Sequence, residues 1–264
     1  MRFSGIANVH VYVPKPSLNT LRKAKTYILE EFRKLLLKGR RPSLGLEFLH
    51  HTNLLRFFPE LAALVGVPQD PEWHPEGDVW VHTLMVLDEA AALRDDGEHD
   101  LALMLGALCH DFGKPLTTVD DGHRVRSPGH DEHGLCPTAS FLERMRTPAR
   151  LVAQVQALVK HHLAPALFIK NGASDKGYRR LSRRLAAAEV PAELLVRVAT
   201  ADHFGRTTPQ ALDREFPAAI EFLARTQSLS IDKGPPADAV QGRHLIAHGL
   251  RPGPGFGPLL AACR

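Results

Sequence analysis

A histidine and an aspartate, adjacent at the end of an apolar run, place the strongest constraint on how this chain folds. The run covers residues 101–109, and His110 and Asp111 follow it directly. A carboxylate that is buried without a partner costs several kcal/mol. A divalent cation held by imidazole and carboxylate removes that cost, and a mixed nitrogen and oxygen ligand set suits Mn, Ni, Fe, Co or Zn. The fold must therefore bring further polar partners to this pair.

The N-terminal region shows one alternating stretch, followed by helical periodicity. Residues 8–14 alternate briefly, as a short strand or an extended arm would. Ser43 is a candidate N-cap for a second helix, and a pair of short helices interrupted by Pro59 follows. The first helix is predicted from apolar residues that recur at helical spacing, namely Leu21, Ala24, Ile28, Phe32 and Leu35.

Every strong signal beyond the proline-rich connector at residues 67–77 is helical. Asp78, Pro148 and Pro191 are each placed to begin a helix, and residues 211–224 are apolar at helical spacing. We find no second alternating segment and no internal repeat. The sequence therefore predicts an all-α fold, in which a helical bundle follows a small helical neck.

We predict three regions. Residues 1–66 form the N-terminal arm and helical neck, residues 67–232 form the main domain, and residues 233–264 form a Gly/Pro-rich C-terminal segment. In that last region a short helix is predicted around Leu245, although the composition equally fits a flexible terminus.

The overall composition narrows the class of protein. Hydrophobic residues make up 44% and charged residues 23% of the chain, as in ordinary soluble globular proteins. We expect a cytoplasmic protein without a membrane partner, because no apolar run approaches a span, no secretory signal is evident and the three cysteines are scattered. A net charge of +4 permits nucleic acid or phosphorylated ligands without selecting them. The sequence leaves the oligomeric state open.

Helical spacing identifies the side chains that can meet the histidine–aspartate pair. His162 lies on the apolar face of its predicted helix, whereas His161 is rotated from it by about 100°. Asp202 and His82 likewise lie on the apolar faces of theirs. Each one alone is more often a hydrogen-bonded core residue. Three helices that each aim one metal-capable side chain inward, beside the pair, together predict a metal site.

This constellation resembles the HD superfamily of metal-dependent phosphohydrolases. Residues 110–114, His-Asp-Phe-Gly-Lys, match the superfamily's His-Asp-x-Gly-Lys stretch. The resemblance implies that a first ion is held by His82, His110, Asp111 and Asp202. It also implies that a second ion, bridged by Asp111, would use ligands among His130, His161 and His162. We therefore expect one or two divalent ions, among Mn, Ni, Co, Fe and Mg, as the cofactor.

A narrower resemblance extends over roughly residues 28–264, to bacterial tRNA nucleotidyltransferases (CCA-adding enzymes). Residues 30–37, 41–49 and 58–61 resemble the neck of that family, and residues 69–84 resemble the segment that opens its HD domain. Residues 241–254 resemble its C-terminal segment, with His244 where an aspartate is usual. The family's catalytic head carries a Gly-Ser and an Asp-x-Asp pair. Residues 1–27 contain no aspartate, so we do not expect this chain to add CCA by itself.

The resemblance implies hydrolysis of a phosphoester by metal-activated water at Asp111. Lys114 and Arg206 are the expected catalytic cations, because each can neutralise phosphate charge. Arg126 and His133 are further candidates for binding substrate at the mouth of the site. Relatives with this domain open 2′,3′-cyclic phosphates and remove 2′-phosphates, so the expected substrate is a nucleotide or RNA-end phosphoester.

Two alternatives remain open. One is a non-catalytic tRNA- or RNA-binding fragment, or the partner subunit of a split tRNA nucleotidyltransferase. The other is a hydrolase of a different nucleotide class, such as a deoxynucleoside monophosphate or an alarmone. Basic clusters at residues 22–25, 38–41 and 179–184 fit an RNA backbone, and they equally fit solvated helix faces.

Overall fold

The computed structural model describes residues 18–235 and 240–263, with side chains from residue 28 onward. The expected strand or arm at residues 8–14 lies outside the described residues. The predicted all-α class is confirmed. In chain order the helices are α1 (Leu18–Lys38), α2 (Ser43–His51), α3 (Pro59–Ala62), α4 (Val79–Ala92), α5 (Asp100–Cys109), α6 (Lys114–Thr117), α7 (His130–His133), α8 (Leu135–Arg144), α9 (Ala149–His161), α10 (Ala164–Lys170), α11 (Asp175–Ala187), α12 (Ala192–Phe204), α13 (Pro209–Leu212), α14 (Pro217–Ser228), α15 (Gly242–Ala247) and α16 (Phe256–Ala262).

A small antiparallel hairpin, which the sequence analysis missed, interrupts the helices after α6. Its strands, β1 (Val119–Asp120) and β2 (Val125–Arg126), pair Val119 with Arg126 and Asp120 with Val125. Two residues per strand are too few to show an alternating pattern. The signal that was present is the Asp121-Gly122 turn, in which Gly122 has a φ of +80°.

The neck packs on the main body through a face of α1 that differs from the predicted one. Phe32 is buried as predicted, but Ile28 is 37% exposed and Leu36 is fully buried instead. Three consecutive leucines at residues 35–37 make the periodicity of this helix ambiguous, and packing against α5 selects Leu36. The helix ends before Gly39, which the proline-containing stretch after it explains.

Ser43 does not cap α2 as predicted, because it is the first residue of that helix and Pro42 occupies the N-cap position. Asp88 of α4 takes over the capping role. Its Oδ1 accepts from the Ser43 amide at 3.0 Å, and its Oδ2 accepts from the Ser43 hydroxyl at 2.7 Å. The free amide at the start of α2 is thus satisfied by a carboxylate of another helix, which fastens the neck to α4.

The core of the main body surrounds α5. This helix is apolar on all sides, and it contacts α4, α9, α12 and α1. Gly106 permits the close approach of α9, because a Cβ there would lie 3.0 Å from Leu158 Cδ1. The C-terminal end of α5, where His110 and Asp111 follow, therefore lies deep between the neighbouring helices.

The remaining helix predictions are confirmed with two differences. Asp78 accepts from the Val81 amide as the N-cap of α4, and Pro148 and Pro191 precede α9 and α12. The apolar stretch at residues 211–224 is split between α13 and α14 because Pro217 starts a new helix. In the tail, α15 is the expected short helix, whereas α16 was not predicted.

No helix in the described part of the chain has both the length and the apolar character needed to cross a membrane. The proposed boundary at residues 67–77 stays a prediction. The structure shows that this connector folds back on the main body, where the Val79 amide donates to the Val67 carbonyl at 3.0 Å.

Candidate metal centre

The centre is built around the residues that follow α5. His110 and Asp111 are both buried, each with 1% of its surface exposed. His110 Nε2 lies 3.1 Å from Asp111 Oδ2, so the two adjacent side chains turn toward the same point. The predicted pair therefore does face the interior, where it needs the partners that the neighbouring helices supply.

The first set of partners comes from α4 and α12. His82 Nε2 lies 3.4 Å from His110 Nε2 and 3.1 Å from Asp202 Oδ1. His82, His110 and Asp111 offer ligand atoms that all lie within 4.8 Å of one another. The structure thus brings together the four side chains for which the resemblance implies a first ion.

A second set lies on the other side of Asp111. His130, the first residue of α7, has its Nε2 atom 3.4 Å from Asp111 Oδ1 and 3.4 Å from His162 Nε2. His162 directly follows α9 and is 2% exposed. Asp111 therefore presents Oδ2 to His82 and His110 and Oδ1 to His130, which is the arrangement of a carboxylate shared by two ligand groups.

Hydrogen bonds to the far side of each ring determine which nitrogen is free. The Nδ1 atoms of His110, His130 and His162 lie 2.7, 2.8 and 2.6 Å from the carbonyl oxygens of Ala107, Ser127 and Val159. A carbonyl only accepts, so each Nδ1 carries the proton and each neutral ring has its lone pair on Nε2. The group next to His82 is a carboxylate instead, since His82 Nδ1 lies 2.8 Å from Glu76 Oε1.

This donor set fits a divalent cation. Four imidazole Nε2 atoms and two carboxylates converge, and a ring of this tautomer presents a lone pair at Nε2 whenever it is neutral. Burial and the nearby His130 and His110 lower the pKa of His162 to about 3, so this ring is neutral at pH 7. Burial alone would raise the pKa of Asp111, but His110 and Lys114 outweigh it and hold that pKa well below its usual range.

Glu76 supports the first set from behind and was missed as a site residue. Its Oε1 atom lies 2.9 Å from His74 Nδ1 and 2.8 Å from His82 Nδ1, and its Oε2 accepts from the Thr207 amide at 3.2 Å. Burial opposes its ionisation, yet the hydrogen bonds from the two histidines keep its pKa below the usual range. A carboxylate behind a metal-ligating histidine fixes the ring orientation and raises its basicity.

Both expected catalytic cations contact acids of the centre. Lys114 Nζ lies 2.7 Å from Asp111 Oδ2 and donates to Gln69 Oε1 at 2.6 Å. Arg206 Nη2 donates to both oxygens of Asp202, at 3.0 and 3.1 Å. Burial alone would raise the pKa of Asp202, but the opposing effects of Arg206 and His82 are larger and hold this pKa well below the usual range. These contacts hold both carboxylates in the charged form.

The centre opens into a cavity of about 420 Å³. Lys114, Arg206 and His130 line its inner part, and the hairpin residues Arg124 and Arg126 line its outer part. Trp73, which is 47% exposed, stands at the same cavity. From this point on, we call this space the site cavity.

Two of the predicted site residues, His161 and His133, lie away from both the centre and the site cavity, whereas Arg126 lies at the cavity as expected. His161 lines a different cavity, as its rotation from His162 on α9 explains, and the structure selects His162 of the two. His133 is exposed, and its Nδ1 contacts the Gly129 carbonyl at 2.9 Å outside the residues that line the site cavity. Arg126 does line the site cavity, but its guanidinium pairs with Asp121 at 2.8 Å.

Sequence reasoning also missed His74, Gln69, Trp73 and Arg124. All but the last lie in the connector at residues 67–77, where prolines remove the helical periodicity that identified the other site residues. The available signal was the resemblance of residues 69–84 to a family segment. Arg124 lies in the unpredicted hairpin, where its Nε atom contacts Asp70 Oδ2 at 3.0 Å.

We compared the chain with known proteins. No family model matches the chain. The multifunctional CCA protein of Xanthomonas campestris pv. campestris (strain B100) is 34% identical over 245 residues, which cover 90% of this chain and 54% of that protein. The multifunctional CCA protein of Pasteurella multocida (strain Pm70) is 34% identical over 194 residues, covering 70% of this chain and 45% of that protein.

The chain is similar to part of the multifunctional CCA proteins. It spans about half the length of the curated relatives that it matches. This finding supports the resemblance to the C-terminal portion of CCA-adding enzymes.

Proposed function

We propose that this protein is a metal-dependent phosphohydrolase of nucleotide or RNA-end phosphoesters. The observation that carries the proposal is the shared carboxylate of Asp111, with two groups of histidine Nε2 atoms around it and Lys114 beside it. The activities that fit are those of a 2′,3′-cyclic phosphodiesterase, a 2′-nucleotidase or a phosphatase. The proposal extends what the similarity to CCA proteins supports, which is a role related to those enzymes.

We assign the metal ligands from the donor atoms that converge here. His82, His110, Asp111 and Asp202 would hold a first ion, and Asp111, His130 and His162 would hold a second. When bound, a divalent ion supplies Lewis-acid polarisation of the phosphoester and lowers the pKa of water that attacks it. His161 is left out of this assignment.

The charges around the centre favour a phosphate only when metal is present. The carboxylates of Glu76, Asp111 and Asp202 carry three negative charges, against two positive charges on Lys114 and Arg206. One divalent cation reverses the sign of this local charge, and a second makes the centre strongly positive. Lys114 and Arg206 line the site cavity, so both can also donate to the phosphate oxygens.

The site cavity has the size and lining that a nucleotide needs. About 420 Å³ lies within the range of small-molecule sites, roughly 300–1,000 Å³. Trp73 offers an exposed aromatic face at this cavity, on which a base can stack. Arg124 and Arg126 stand at the hairpin side, where each is paired with an aspartate. These features favour a nucleoside phosphate over a phosphate ester without a base.

A substrate panel tests the proposal. The purified protein is stripped of metal, reloaded separately with Mn, Ni, Co or Mg, and given 2′,3′-cyclic nucleotides, 2′-nucleotides, deoxynucleoside monophosphates and an alarmone. We expect release of product from the first two classes, and loss of turnover on chelation. Turnover that is unaffected by removal of all metal would refute the proposal.

The alternatives give different outcomes of the same panel. Preferential hydrolysis of a deoxynucleoside monophosphate or the alarmone would keep the metal chemistry and change the substrate class. A non-catalytic tRNA-binding fragment would bind RNA in a salt-dependent way and turn over none of the substrates with any of the metals.

A further inference from the structure

A second cavity, distinct from the site cavity, adjoins α11 and the end of α9. Its volume is about 380 Å³. His161, Arg180 and Arg184 supply its ionisable groups, and none of the described residues that line it is acidic. From here on, we call this space the arginine cavity.

The arginines of α11 lack the partners that most other arginines here have. Among the side chains described, those of residues 28–235 and 240–263, no acidic group pairs with Arg179, Arg180, Arg183 or Arg184, although Arg225 nearby pairs with Asp175. The hairpin arginines differ, since Arg124 and Arg126 pair with Asp70 and Asp121. Unpaired guanidinium groups that face a cavity are free to bind an anion, with the planar geometry that phosphate oxygens match.

The arginine cavity also includes the first turn of α11. Ser174 is the N-cap of this 13-residue helix, and both Ser174 and Gly177 line the cavity. A helix N-terminus carries partial positive charge and therefore adds to the attraction of the two guanidinium groups for an anion. Arg180 and Arg184 are four residues apart, so they lie one turn apart on the same face.

A short segment of chain separates the arginine cavity from the site cavity. His161 and Ala164 line the arginine cavity, whereas Leu163 lines the site cavity and His162 belongs to the metal centre. The two cavities are thus both bordered by residues 161–164. A ligand with more than one phosphate, extended along a backbone, is suited to reach both of them.

We propose that Arg180 and Arg184 form a phosphate-binding subsite for a polynucleotide whose terminal phosphoester lies in the site cavity. The inference rests on the proposed function for the identity of the reacting group. It narrows the substrate from a free nucleotide to the end of an RNA strand, with a phosphate of the preceding nucleotides held by α11.

Paired variants of the same helix provide the test. R180Q/R184Q removes two charges at the arginine cavity. R179Q/R183Q removes the same charge at the same spacing, from a face of α11 that is rotated by about 100° and does not line this cavity. Kinetics are measured on a 2′,3′-cyclic mononucleotide and on an oligoribonucleotide of about eight nucleotides that ends in the same group.

For R180Q/R184Q we expect kcat/KM for the oligonucleotide to fall about tenfold relative to kcat/KM for the mononucleotide. The fall should come from a higher KM for the oligonucleotide. The slope of log affinity against log salt should become shallower by about 1.4, as expected for two lost contacts to a single strand. R179Q/R183Q should keep the ratio within about twofold. An unchanged ratio in R180Q/R184Q, or an equal fall in both variants, would overturn the subsite.

A binding measurement distinguishes failure of the phosphate-binding subsite from failure of the proposed hydrolysis. Fluorescence anisotropy of a labelled oligonucleotide with a 3′-terminal phosphate reports on the subsite without turnover. If no substrate is hydrolysed, but R180Q/R184Q binds this strand about tenfold more weakly than R179Q/R183Q, the subsite stands and the proposed hydrolysis fails. If both variants bind it as the unsubstituted chain does, or if polyglutamate competes as well as RNA, the subsite is refuted.

Discussion

The two sides of the metal centre differ in how they are enclosed and supported. His82 is fully buried and has the Glu76 carboxylate behind it, and Asp202 beside it is paired with Arg206. On the other side of Asp111, the side chain of His130 is 12% exposed, lines the site cavity and is supported by a backbone carbonyl. From this contrast we expect an ion on the His82 side to be held more tightly than an ion on the His130 side.

The largest effect is expected for Asp111→Asn, because Asp111 is the carboxylate common to both sides. An amide has one oxygen and no negative charge, so one side loses its oxygen ligand and both sides lose the charge. We expect the metal content to fall toward zero and turnover to drop by about a thousandfold or more. Elemental analysis and kcat on a 2′,3′-cyclic nucleotide measure these changes. Retained metal with normal turnover would show that the sides do not share this group.

His82→Ala is expected to have the next largest effect, since it removes a fully buried ligand of the first side. We expect loss of one ion equivalent per chain and a fall in turnover on the order of a hundredfold. Circular dichroism checks that the helices remain. If His82→Ala and His130→Ala weaken metal binding equally, the two sides do not differ as we infer.

Glu76→Gln tests the support behind His82. A neutral amide still fills the space but weakens the orientation of both histidines, so metal affinity should fall about 10- to 100-fold. Titration with a competing chelator measures that affinity. Glu72→Gln is the matched control, because Glu72 is an exposed acid of the same connector. An affinity that stays the same in Glu76→Gln would mean that the carboxylate only packs there.

The smallest effect is expected for His130→Ala, at the more exposed side. The second ion should dissociate about tenfold faster while the first remains bound. Metal exchange followed by stopped flow measures this rate. His133→Ala is the control on the same short helix, because its side chain is exposed and contacts the Gly129 carbonyl. A change in exchange rate that is as large in the control would contradict the assignment.

The sequence predicted the candidate ligands on both sides of Asp111 better than the groups that support them. His82, Asp202 and His162 were found because a period of 3.6 residues places them on apolar faces, and burial of those faces brings them together. The same rule separated His162 from His161. Glu76 carries no such signal, since it lies in an irregular connector whose path depends on the finished fold.

Some features of the fold could not be predicted from the sequence for similar reasons. Leucines on several sides of α1 made its buried face ambiguous, and only contact with α5 selects Leu36 over Ile28. The cap of α2 comes from Asp88, 45 residues away, so that no local pattern reveals it. Helices with one apolar face were predictable, whereas interactions between distant segments were not.

The link between Ser43 and Asp88 has a mechanical consequence. Asp88 stands six residues after His82 on the same rigid helix, about 9 Å along its axis. Just beyond that helix, Arg94 donates to the carbonyls of Leu36 and Gly39 at 2.7 and 2.9 Å. Two sets of hydrogen bonds therefore join the neck to α4, the helix that also carries His82. We expect a displacement of the neck to shift this imidazole of the candidate metal centre as well.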